Sequence, residues 1–137
     1  MTLRLIQTQD LEIVRELRNA NRSAFFDSDV ISVEEQRRWY ANLPARQLRF
    51  FVIEEDSRVV GTISVTSRGT TKEIGNIIID QAYRGRGLMR RAIEELTAEP
   101  GDYICRVRPD NEPSLGVFRR SGFVAEYVQL QKRTHST

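Results

Sequence analysis

The sequence predicts an α+β protein, with a mixed, mostly antiparallel central sheet and helices on both of its faces. Three observations lead there. Three runs rich in β-branched and aromatic residues follow one another between residues 48 and 79, separated by short polar segments, and such neighbours pair antiparallel. A helical stripe then stands between two strand runs, and a β-α-β crossover requires a parallel pair. Two amphipathic stretches precede the first of the three runs, so the order reads β-α-α-β-β-β-α-β-α-β. With 137 residues, 39% hydrophobic and 29% charged, the chain fits a single domain spanning 1–137 that buries roughly two-thirds of its unfolded surface.

Each element has a local reason. Leu3 and Leu5 alternate with Arg4, as in a short strand. Thr8 or Asp10 can cap a helix through about Arg18, with Leu11, Val14 and Leu17 as its apolar stripe. A polar loop carrying Phe25-Phe26 follows. Ser32 and Glu35 have capping-box spacing and open a second helix, which must stop near Pro44. Leu48–Glu54, Val59–Thr66 and Ile74–Ile79 are the central strands, the first two joined by a turn at Asp56-Ser57. Gly87 to about Ala98 is a helix, with Leu88, Ala92 and Leu96 on one stripe and Met89 and Ile93 beside it. Tyr103–Arg108 is a strand. Asn111 caps a short helix with Pro113 in its first turn and Gly122 just past its end. Val124–Gln131 is expected to form the last strand.

Composition narrows the chemistry. Cys105 is the only cysteine, so neither an intrachain disulfide nor a cysteine-rich metal site is expected. His135 is the only histidine and lies in a polar tail, which removes Ser/His/Asp triads, Cys/His pairs and most zinc chemistry. No metal is expected. The apolar runs are too short to span a bilayer and nothing at the N-terminus reads as a leader, so the expectation is a cytoplasmic location with no membrane partner. Apart from Lys72 and Lys132 every basic residue is arginine, which suits a phosphorylated ligand or acidic substrate; a bias toward arginine codons explains the same count. The net charge of +2 is too small for a nucleic-acid binder, and no such fold is recognised.

The informative segment runs from Ile77 to Met89. A strand enters a turn rich in arginine and glycine, Arg84-Gly85-Arg86-Gly87, and that turn opens a helix. Unpaired N–H groups and the positive end of the macrodipole make such a corner a site for pyrophosphate, and glycines let the ligand approach the backbone. The turn lacks the Gly-Lys-Ser/Thr of a Walker loop and the spacing of the dinucleotide fingerprint. A purely structural glycine pair between strand and helix is the competing reading.

Arg84-Gly85-Arg86-Gly87-Leu88-Met89 resembles the Q/R-x-x-G-x-G/A signature of the GNAT superfamily of N-acetyltransferases. Asn111 to Phe123 resembles that family's second motif, N-x-x-S/A-x-x-L/V-Y/F-x-x-x-G-F. The pattern is closest to the branch of ribosomal-protein N-terminal and nucleotide-amino-sugar acetyltransferases. The resemblance implies acetyl-CoA as co-substrate and direct transfer of its acetyl group to a primary amine. The acceptor would be a small molecule or a peptide: an amino-sugar nucleotide or a protein N-terminus.

It also implies roles residue by residue. The backbone from Ile77 to Ile79 would bind the pantetheine arm. The amides of Gly85, Arg86, Gly87, Leu88 and Met89, with Arg84, would hold the pyrophosphate, and Asn111 and Ser114 would face the thioester. Met89 stands where the signature has Gly or Ala, as in the ribosomal-protein subgroup. Phe118 stands where many members have an acidic tyrosine, which moves the general acid to Ser114. The family's carboxylate base points to Glu73, with Glu54, Asp80 and Tyr127 as fallbacks; the plainer reading of Glu73 is an exposed residue at a strand end. Cys105, in an alternating strand with Val107, reads as a core thiol.

Arg18-Asn19, Phe25-Phe26, Ile31-Ser32 and Trp39 resemble the acceptor side of the amino-sugar enzymes, with Arg22, Arg37 and Arg38 nearby. Trp39 reads equally as core. Little chain follows Phe123, so a second subunit is expected to close the pocket in a homodimer. The competing function is a non-catalytic CoA- or nucleotide-binding module.

Overall fold

Two hairpins and one crossover build the sheet. The computed structural model describes residues 1–24, 29–44 and 47–134. In it β1 (Thr2–Leu5), β2 (Leu48–Glu55), β3 (Arg58–Arg68), β4 (Thr71–Ile79) and β5 (Asp102–Cys105) lie side by side in chain order. The first three pairings are antiparallel and β4–β5 is parallel. Asp56 and Ser57, with φ of 52° and 60°, form the two-residue left-handed turn that matches strand twist in a hairpin. The β3–β4 hairpin is longer than the sequence predicts, so Glu73 lies inside β4 rather than at its start.

Alternation along β2 divides the core in two. Phe50 and Val52 face α1 (Leu11–Ala20) and α2 (Val33–Ala41), packing with Ile6, Val14 and Trp39. Phe51 and Ile53 face α3 (Leu88–Leu96) and α4 (Glu112–Arg120), packing with Ile63, Ile74, Ile93 and Phe118. Side-chain caps open α2 and α4. Ser32 Oγ accepts from the Glu35 amide, and Asn111 Oδ1 accepts from the Ser114 amide. α4 ends in a Schellman turn: Phe123 N–H donates to Phe118 O, Gly122 N–H to Arg119 O, and Gly122 has φ 94°. The Phe118 and Phe123 rings complete it, edge to face at 5.0 Å.

Two predicted strands are corrected. β5 stops at Cys105, so Arg106 to Arg108 leave the ladder rather than extend it. Residues 124–131 form no strand, and Val124, Tyr127, Val128 and Leu130 are at least 79% exposed. A strand needs a partner for its N–H and C=O groups, and the four residues of β5 offer only a short edge. β propensity in the tail does not replace that partner. Phe25, Phe26 and His135 lie outside the described residues. Among the described residues no helix is long and apolar enough to cross a membrane.

Candidate active site

β4 and β5 pair only from Thr71/Asp102 to Ile74/Cys105 and then part. β4 runs on to Ile79 against β3 alone, and a cleft of about 290 Å³ opens between the diverging chains. At its mouth β4 carries a bulge. Ser64 pairs with Gly75 and Thr62 with Ile78, so Asn76 and Ile77 together oppose Ile63. Asn76 takes the extra residue's strain in a left-handed backbone at φ 51°. Two fully buried polar residues of β3 hold it there: Thr62 Oγ1 donates to Asn76 O at 2.6 Å, and Asn76 Nδ2 donates to Ser64 Oγ at 2.8 Å. The bulge turns the Asn76–Ile77 segment toward the cleft.

Of the residues the sequence singles out, Glu73, Ile77, Asn111 and Ser114 meet in the lining of this cleft. Ser114 sits in the first turn of α4, its amide held by Asn111. Glu73 lies on the α1/α2 face, because it pairs with Thr66 across β3 and with Ile104 along β5. Its two oxygens are bound by Arg68 Nε at 2.8 Å and Arg106 Nε at 2.9 Å. It is therefore a doubly paired carboxylate rather than a bare strand-end glutamate.

Cys105 also lines the cleft, half-buried against the α3/α4 core. Burial, reinforced by the charge of Glu73, pushes its thiol up to about 11, so very little of it is the nucleophilic thiolate near neutral pH. Phe118 is buried at the same wall and has no proton to donate.

The glycine turn lies beyond the cleft, at the C-terminal end of β4. Gly85 (φ 80°) and Gly87 (φ 74°) both take left-handed backbones, which turn the chain sharply before Leu88 begins α3. No side chain caps that helix start, and the first intrahelical amide is that of Arg91, donating to Gly87 O. The Leu88, Met89 and Arg90 amides precede it without intrahelical partners, which is the arrangement an anion needs. Arg84 braces the turn instead of pointing away from it: its Nε donates to Ile79 O at 3.1 Å and Nη2 to Asn21 Oδ1 at 2.5 Å. Arg86 stacks on Tyr83, 4.5 Å from the ring centre. Ile79 itself is a core residue, outside the cleft lining.

The fallback bases are elsewhere. Glu54 pairs with Arg4 on β1, Asp80 Oδ1 accepts from the Ala82 amide, and Tyr127 is 88% exposed in the tail. None lines the cleft. Among the described residues no group of three or more His, Cys, Asp or Glu is placed to hold a metal ion.

A second cleft of about 300 Å³ lies under α1 and α2 and shares Arg18 and Asn76 with the first. Ile31 and Trp39 line it, and Trp39 also packs edge-on to Phe50 at 5.0 Å, so it serves core and cleft together. Asn19 makes two side-chain bonds with the Ile31 backbone. Arg22, Arg37 and Arg38 are exposed and line neither cleft. The residues that sequence reasoning missed are Thr62, Ser64 and Asn76. Their signal was two small hydroxyls alternating through an apolar strand, and a Gly-Asn pair interrupting an isoleucine run.

The parted strand pair and the uncapped, glycine-led helix start both lie toward the C-terminal end of β4. Residues 12–123 match the Acetyltransferase (GNAT) family, and the chain belongs to it. It is 36% identical over 81 residues to the N-alpha-acetyltransferase RimI of Mycobacterium tuberculosis, a match covering 55% of this chain and 50% of that protein. The chain spans half or less of the length of the curated relatives it matches. Its fold is that of a ribosomal-protein-alanine N-acetyltransferase from Brucella melitensis (TM-score 0.75, 20% identity, 89% of this chain and 83% of that one). It is also that of an acetyltransferase from Salmonella typhimurium solved with acetyl-CoA (TM-score 0.75, 22% identity, 90% and 79%).

Proposed function

We propose that this protein moves the acetyl group of acetyl-CoA to a primary amine by direct attack within a ternary complex. The observation that carries the reading is the run of features along one strand. β4 parts from β5 to open a cleft lined by Ile77, Asn111 and Ser114, and six residues past its end Gly85 begins the turn into an uncapped helix. A pyrophosphate at the Gly85–Met89 corner and a pantetheine arm along Ile77 to Ile79 would direct a thioester into the cleft. The residues fit such a guest: the amides are unspent and the glycines add no bulk.

The second cleft, under α1 and α2, supplies the approach for the amine, and Asn76 and Arg18 mark where the two meet. As the nitrogen bonds to the acyl carbon, the carbon–sulfur bond breaks. Ser114 hands its hydroxyl proton to the departing sulfur. Of the two protons the ammonium nitrogen gives up, one restores Ser114 and the other passes through water to Glu73. Glu73 retains lone pairs for that water, because each carboxylate oxygen can accept more than the single arginine bond it has here. A protein N-terminus is the favoured acceptor, supported by the name of the mycobacterial relative. A homodimer completes the proposal, since the apolar residues of the 124–134 tail stand uncovered in one copy.

Incubation with acetyl-CoA and a panel of amines, following free thiol and the acetylated product by mass, tests the reading. Thiol release that depends on the amine supports it. Acetyl-CoA binding with no turnover on any amine would leave only a carrier.

A further inference from the structure

We infer that Asn76 orients the attacking amine: its side-chain Oδ1 accepts a hydrogen bond from the amine nitrogen where the two clefts meet. The inference rests on reading the first cleft as the site of acetyl transfer. Arg18 and Asn76 are the residues that both linings share. A guanidinium has no acceptor atom, so of those two side chains only the Asn76 amide can receive an N–H. Asn76 is exposed there, whereas Ile78, two residues further along β4, is buried.

The fold fixes this amide rather than leaving it to rotate. Thr62 and Ser64, both fully buried on β3, bind the residue at two points. Thr62 Oγ1 donates to the Asn76 carbonyl, and Asn76 Nδ2 donates to Ser64 Oγ at 2.8 Å. The side-chain amide is planar, so a tied Nδ2 sets the direction of Oδ1 and turns it away from Ser64. No donor among the described residues occupies Oδ1. Glycine would adopt φ 51° at no steric cost, while asparagine holds it here with the help of this network. What asparagine adds over glycine at this position is the amide itself.

The reaction supplies a matching donor. An ammonium nitrogen carries three hydrogens, of which one restores Ser114 and one passes through water to Glu73. The third stays on the nitrogen of the product amide. That N–H never has to be given up, so its bond to Asn76 Oδ1 can persist from substrate to product. A bond kept throughout aims the nitrogen lone pair at the thioester carbon.

The test pairs a primary amine with its N-methyl counterpart, which lacks the third hydrogen. The pairs are drawn from amines that the wild type acetylates. For a peptide acceptor they are an alanine-led peptide and the same peptide opened by N-methylalanine; for a small acceptor, 2-phenylethylamine and its N-methyl derivative. Thiol release is the readout. Asn76→Gly keeps the left-handed backbone and removes only the amide, so it should melt close to the wild type and bind acetyl-CoA within about threefold. Its kcat/KM on the primary amine should fall about tenfold or more, while that on the N-methyl amine stays where it was. Asn76→Asp keeps an acceptor oxygen in place and should retain most of the wild-type preference for the primary amine. Ser64→Ala unties the amide and should lower the primary rate in the same direction by less. An Asn76→Gly enzyme with wild-type kcat/KM on the primary amine would overturn the inference. So would an N-methyl amine that speeds up in that variant while the primary amine holds, since the side chain would then only fill space. Both results leave the transferase reading standing. If Asn76→Gly does not fold, Ser64→Ala decides, because an unchanged primary rate with the amide untied overturns the inference. Acetyl-CoA binding by the wild type with no thiol release on any amine overturns the inference and the transferase reading together.

Discussion

Gly87→Glu separates the role of the turn in the fold from its role in binding. Gly87 has φ 74°, a region that costs an L-residue about 1–2 kcal/mol, and a Cβ placed there meets no atom within 4 Å. Any substitution therefore carries the backbone cost without a clash, which should lower Tm by roughly 3–8 °C for a chain of this size. Gly87→Ala isolates that cost. Glutamate adds a negative charge beside the unpaired amides that open α3. Facing a diphosphate at about 4 Å, it opposes binding by about 2–4 kcal/mol once screening is included, a loss of roughly 30- to 1,000-fold in affinity. Scanning fluorimetry should show the two variants melting together, while calorimetry with acetyl-CoA shows only the glutamate variant losing most of its binding. If Gly87→Glu binds acetyl-CoA as well as Gly87→Ala does, the corner is a structural turn and the pyrophosphate assignment fails.

Ser114→Ala should lower kcat and leave the Kd for acetyl-CoA within about threefold, because its amide, not its hydroxyl, is what Asn111 holds; a larger effect on affinity than on turnover would remove it as the acid. Gly61→Ala puts a Cβ 2.3 Å from the Ile78 carbonyl oxygen and should destabilise by about 2–3 kcal/mol, near 10 °C in Tm, by forcing β3 and β4 apart at the bulge; an unchanged melting curve would show that the two strands are not so close. Asp10, 2% exposed, is held well below the usual carboxylate range by its two-pronged hydrogen bond from Arg4. The unfolded chain then binds the proton first as pH falls, so the stability this pair contributes is complete above about pH 4 and is lost on descending through the folded value. Urea denaturation of wild type and Asp10→Asn should therefore converge toward low pH, and a constant difference between them would contradict the pairing.

Much of this protein was legible before folding because it depends on residues a few positions apart. Ser32 over Glu35, Asn111 over Ser114, and Gly122 closing α4 are all contacts within five residues. The left-handed conformations at Gly85 and Gly87 belong to the same class, since a turn between strand and helix needs glycine wherever φ is positive. Hydrophobic period also marked side chains that the helices bury, Val14 and Leu17 in α1 and Leu88, Ala92 and Ile93 in α3. The sequence could not show what Glu73 touches. Arg106 lies 33 residues away and reaches it only because β4 and β5 run parallel in a particular register. The bulge at Asn76 likewise exists through Thr62 and Ser64 on another strand. For the same reason the 124–131 segment, with the composition of a strand, is not one: strand propensity is local, but a strand exists only where another chain segment offers its hydrogen bonds, and no local pattern encodes that offer.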